Sequence, residues 1–95
     1  MTKDMKNVPF LDDYQNPVAV QDLGACAGLV SSGYPLLHID RSQGSKAFFL
    51  FENADEIHEA IQLYWRDQLQ VSALANFNAL KNVKTRLYSD TGYEA

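Results

Sequence analysis

The sequence predicts one small α+β domain, a short antiparallel sheet packed against three helices in the order β-α-β-β-α-α. Three observations predict it. Two β-prone runs flank a Gly-containing loop within residues 36–52, three other segments repeat apolar residues at helical spacing, and 95 residues are too few for two independent cores.

The elements follow in chain order. Residues 1–16 read as a polar arm of mixed charge, interrupted by the apolar knot Val8, Pro9, Phe10 and Leu11, which can dock on the domain or on a second copy. Residues 17–20 are β-prone behind Pro17, and a residue without a ladder N–H suits an edge strand. From 22 to 32, Leu23, Cys26, Ala27 and Val30 fall at i, i+3, i+4 and i+7, so they share one helical face. Asp22 stands where a carboxylate favours the helix dipole, and Gly33 takes the left-handed position that ends the helix.

Residues 36–41 and 46–52 then form a hairpin around Ser42, Gln43, Gly44 and Ser45. Leu37 and Ile39 are expected on one face of its first strand, opposite His38 and Asp40. In its second strand Ala47, Phe49 and Phe51 take one face, Phe48 and Leu50 the other. Asn53 with Glu56 three residues on reads as a capping-box variant opening a second helix, which runs to about Gln68 and buries Ile57, Ala60, Ile61, Tyr64 and Trp65. Val71 and Ser72 suit the entry to a third helix, with Leu74, Phe77, Leu80, Val83 and Leu87 inward. The domain thus spans 17–88, and 89–95 form a polar tail.

Twelve carboxylates against eight Lys and Arg leave a net charge of −4, which disfavours a nonspecific grip on nucleic-acid phosphates. The balance is uneven. Residues 79–88 hold Lys81, Lys84 and Arg86 without an acid, so one end of the last helix is basic. Cys26 is the sole cysteine, so no intramolecular disulfide forms, and without a secretory-type apolar leader a reducing, cytoplasmic location is expected. The longest apolar run, residues 47–51, falls far short of the roughly 20 residues of a membrane helix.

Chemistry-bearing residues are few. His58 lies within a turn of Asp55 and Glu59, a spacing compatible with a divalent ion but equally with a solvated acidic face that complements the helix dipole. The acidic face is the reading adopted, and no metal or cofactor is expected. His38 points outward from the hairpin, Cys26 sits inward as a small hydrophobe, and no serine occupies a nucleophile elbow. Gly24 and Gly28, one turn apart inside a helix, do not make a phosphate loop; they permit close backbone approach or leave that face bare. No catalytic constellation emerges, and an enzyme is not expected.

Lys84 is the residue least explained. It falls within the apolar stripe of the last helix, so its charge must snorkel outward or pair with an acid such as Asp22. Lys81, Lys84, Arg86 and Tyr88 can instead present a small basic and aromatic patch to an anionic partner. Trp65 is expected in the core; exposed, it would be the best anchor for a protein partner.

Asp22-Leu23, Cys26-Ala27, Gly33, Phe49 with Phe51, Tyr64-Trp65, and Lys84 followed by Leu87-Tyr88 together resemble the pattern of a small prokaryotic and phage-associated family described as a domain of unknown function. The resemblance spans residues 19–88 and implies no activity. Two departures stand out: residues 19–21 lack the Ser or Thr the family tends to place before the Asp, and Gly24 and Gly28 replace larger, often aromatic, side chains.

These readings favour a noncatalytic protein-interaction module that self-associates as a homodimer, because a small sheet with open edges gains from burying one. Lys81, Lys84 and Arg86 keep open a nucleic-acid accessory role. Glu52, Asp55, Glu56 and Glu59 suggest, third, an acidic inhibitor of a basic protein.

Overall fold

A computed structural model describes residues 16–42 and 44–89; the apolar knot at Val8 to Leu11, the tail beyond 89 and Gln43 of the hairpin loop lie outside them. The fold is β1 (Val18–Val20), α1 (Leu23–Ser31), β2 (Leu36–Asp40), β3 (Phe48–Phe51), α2 (Asp55–Trp65) and α3 (Ala73–Ser89). This is the expected α+β order.

The sheet is antiparallel throughout, with β3 between β1 and β2. Phe49 faces Val20 on one side and Ile39 on the other, while Phe51 faces Val18 and Leu36. As the central strand, β3 has its backbone paired at both edges and its side chains in contact with neighbours from both strands. Phe49 and Phe51 point into the main core, and Leu50, on the opposite face, is buried as well.

One register detail departs from simple alternation. The pairing shifts between Leu36 and His38, so Leu37 is the bulged residue, and Leu36 instead of Leu37 packs on the core beside Ile39. The hairpin strands are also shorter than expected, joined by residues 41–47. The Ser42 N–H donates to Asp40 Oδ1 at 2.8 Å, a local turn that stops β2 before Arg41, and Gly44 takes φ +82°.

The first helix holds the centre. α1 packs against α3, α2 and β1, and Ala25, Cys26, Ala27, Gly28 and Leu29 are all buried. Its sequence LGACAGLVS has almost no polar face to give to water, which suits a helix buried along its middle turns. The single stripe expected from spacing is therefore too narrow: Leu29 is fully buried, while Leu23 and Val30 lie at the margins.

Each helix has identifiable ends. Asp22 caps α1, its Oδ2 accepting from the Ala25 N–H at 2.9 Å. Gly33, at φ +107°, closes it, with the Tyr34 N–H bonded to Leu29 O and the Gly33 N–H to Val30 O, both at 3.0 Å. The same closure ends α2 at Trp65, three residues before the expected stop: the Gln68 N–H reaches Leu63 O at 2.8 Å and Asp67 adopts φ +62°. Ser72 caps α3, accepting from the Ala75 N–H at 3.2 Å.

The capping box at Asn53 does not form. Ala54 is the N-cap of α2 and makes no side-chain cap bond. Asn53 is committed elsewhere: its Nδ2 donates to Asn16 O at 2.9 Å, and its Oδ1 lies 2.7 Å from His58 Nε2. The first-turn acids Asp55 and Glu56 supply the favourable dipole interaction instead.

The core joins Val20, Ile39, Phe49 and Phe51 of the sheet to Ala25, Cys26 and Leu29 of α1, Ile57 and Ala60 of α2, and Val83 of α3. No helix among the described residues is long and apolar enough to cross a membrane.

Candidate functional site

The apolar residues of α3 divide between two faces, and the inward one matches the expectation at Val83 and Leu87 but not at Leu74 and Phe77. Ala79 and Val83 are buried and Leu87 packs on the core, but Leu74 is 68% exposed and Phe77 57%. The reason lies in α1, whose Gly, Ala and Cys side chains let a neighbouring helix approach closely; close approach favours Ala79 and Val83 at the contact over Leu and Phe. At about 100° per residue, Leu74, Phe77, Lys81, Lys84 and Tyr88 then share one outward face of α3.

That face brings together three of the sequence-derived candidates. Lys81 and Lys84 are exposed, and Tyr88 is 59% exposed. Lys81 Nζ stands 5.3 Å from the centroid of Phe77, a cation–π contact within the same stripe. Arg86 is turned away from them: its Nη1 donates to Leu36 O at 3.0 Å, tying the end of α3 to the start of β2. Lys84 and Asp22 do not pair, because Lys84 faces outward and the Asp22 carboxylate is occupied by α1 and Tyr64.

The last candidate, Trp65, is also not in the core. It is 63% exposed and stands at the last position of α2. Two clefts adjoin it. One, of about 410 Å³, is lined by Gly24, Gly28, Tyr64, Asp67 and Asn76 among others; the second, of about 460 Å³, by Ala19, Val20, Gln21, Asp22 and Ile61. Trp65 lines both.

The wall behind Trp65 is fixed. Tyr64 meets it edge-on, with centroids 5.0 Å apart and planes at 78°, and the Tyr64 hydroxyl donates to Asp22 Oδ2 at 2.8 Å. Burial, and then the bond to and charge of Asp22, hold the Tyr64 phenol above its ordinary pKa. Gly24 makes this geometry possible, since a Cβ there would collide with Tyr64 Oη and stand 3.2 Å from Asp22 Oδ2. Gly28 likewise gives room to Leu69, whose Cδ2 would lie 3.1 Å from an added Cβ. Both glycines thus serve close approach.

The other chemistry-bearing groups are placed as follows. Cys26 is buried, and loss of solvation pushes its thiol up to about 12, with the charge of Arg86 opposing in part. Glu52, Asp55, Glu56 and Glu59 are exposed, and none lines either cleft. Among the described residues no three His, Cys, Asp or Glu are grouped to hold a metal.

Sequence reasoning missed Leu74, Phe77 and Asp67. The competing face of α3 was visible as the spacing 74, 77, 81, 84 and 88, but periodicity alone does not say which of two apolar faces turns inward. Neither the curated proteins nor the solved structures contain a match to this chain. The model of a family described as "Domain of unknown function (DUF5659)" matches residues 10–89, most of the chain, and the protein belongs to that family.

Proposed function

We propose that this protein is a noncatalytic, cytoplasmic interaction module that self-associates through the outer face of α3. The observation that carries the reading is the cluster of Leu74, Phe77 and Tyr88 on one exposed helical face. Scattered surface hydrophobics need no explanation; three aligned along about 21 Å of one helix do.

A second copy is the partner the pattern fits. In an antiparallel pairing centred on Lys81, Leu74 of one copy meets Tyr88 of the other, and Phe77 falls beside Lys84 and Thr85. Apolar residues occupy the two outer thirds and lysine the middle. Added salt should therefore strengthen the dimer by screening the central lysines. Light scattering across a concentration series is the test, with Phe77→Glu as the disrupting variant. A strict monomer at high micromolar concentration, in low and in high salt, refutes the reading.

The alternation of Lys81 and Lys84 with Phe77 and Tyr88 favours one second reading, a nucleic-acid accessory role, because single strands are held by charge and by stacking on aromatic rings. Binding would weaken with salt, opposite to the dimer, and would fail in Lys81→Glu/Lys84→Glu. Absence of any shift with DNA or RNA at low salt rules it out.

A further inference from the structure

We infer that the two clefts flanking Trp65 form a receptor for arginine side chains of a basic polypeptide, a site separate from the α3 face. The clefts combine an aromatic wall with one carboxylate each, and the fold places both.

The aromatic wall is Trp65, exposed and met edge-on by Tyr64. Asp22 lines one cleft. Its Oδ2 takes both the Ala25 N–H and the Tyr64 hydroxyl, which fixes the carboxylate plane and leaves Oδ1 for an incoming donor. Asp67 lines the other cleft, held there by the left-handed backbone that closes α2. Among the described residues no Lys, Arg or His lines either cleft. Gly24 and Gly28 line the cleft beside Asp67, and the close packing of Tyr64 and Leu69 over them holds the Tyr64 ring behind Trp65.

A carboxylate next to an exposed indole selects for an organic cation. Guanidinium fits better than ammonium, because its plane stacks on the indole while its fork donates to a carboxylate. Two clefts sharing one tryptophan, each with one carboxylate, suit two arginines of one chain better than a single small molecule. The net charge of −4 adds long-range attraction for such a partner.

Trp65 is the only tryptophan, so its fluorescence reports on the site directly. The intact protein is titrated at low salt with an alternating Arg-Gly peptide amide, its Lys-Gly counterpart, and argininamide. Saturable change with the Arg peptide is expected, with binding about tenfold weaker for the Lys peptide and for Asp22→Asn/Asp67→Asn. Asparagine keeps the N-cap at 22 and tolerates the left-handed backbone at 67, so the variant should fold, which circular dichroism checks.

No saturable change with the Arg peptide, equal affinity for the Lys peptide, or unchanged affinity in the double variant would overturn the inference. Argininamide binding as tightly as the peptide would overturn the polypeptide assignment. The α3 interface is scored separately: the double variant should self-associate as the parent does, and Phe77→Glu should bind the Arg peptide normally.

Discussion

Substituting Gly24 by alanine should change sign in its effect on stability depending on what stands at position 64. A Cβ at 24 collides with Tyr64 Oη, the far end of a flexible side chain, so the phenol swings away and α1 survives. What is lost is the 2.8 Å bond from Tyr64 to Asp22. A hydrogen bond to a charged group contributes about 1.5–3 kcal/mol, and the half-buried position of this one argues for the lower end. Replacing a helical glycine by alanine returns up to about 1 kcal/mol.

The expected net effect in the parent is a loss of about 1 kcal/mol, or about 4–8 °C in melting temperature for a domain of this size. In Tyr64→Phe the hydroxyl is absent, and the ring carbon Cζ lies 3.5 Å from the added Cβ, an ordinary contact. There Gly24→Ala should stabilise by about 0.5–1 kcal/mol. Chemical denaturation of the parent, both single variants and the double variant completes the cycle, with an expected coupling of about 1.5–2 kcal/mol. Effects of the same sign that agree within about 0.3 kcal/mol in the two backgrounds would refute the reasoning, because additivity means that the two positions do not meet.

Three further outcomes are expected. Phe51→Ala, at a fully buried ring, should cost about 3–5 kcal/mol, whereas Phe77→Ala should leave unfolding within about 0.5 kcal/mol; comparable losses in denaturant melts would reverse the inner and outer faces. Cys26, buried and with its thiol pushed up to about 12, should react with thiol reagents at neutral pH only through unfolding, so labelling should accelerate in step with added urea; prompt labelling of the native protein contradicts this. Because the folded pKa of Tyr64 is raised, its contribution is complete below the ordinary phenol range and declines above about pH 10, so the stability difference between parent and Tyr64→Phe should shrink there. A difference constant from about pH 7 to 11 would dismiss it.

The legible parts of this fold are those set by local chemistry. Asp22, Gly33 and Ser72 mark helix ends because a side-chain acceptor or a left-handed backbone satisfies groups that a helix leaves unpaired, and these needs arise within a few residues. The alternation of Phe49 and Phe51 with Phe48 and Leu50 likewise marked a strand by local spacing, whereas its place between β1 and β2 was set by pairing with distant segments. At Asn53 the local signal was present but a distant group prevailed: Asn16 claimed its amide, and the cap moved to Ala54.

Local spacing and punctuation were enough for the element order and the α+β class. Tertiary structure decided which of two apolar faces of α3 turns inward, that Leu36 replaces Leu37 in the core, and that Trp65 stands outside it. The physical reason is common to all three. Spacing states which residues lie together on an element, but only the neighbour's shape states which face can be covered. Here that neighbour is a helix of glycine, alanine and cysteine, close enough to accept Ala79 and Val83 and to leave Phe77 in water.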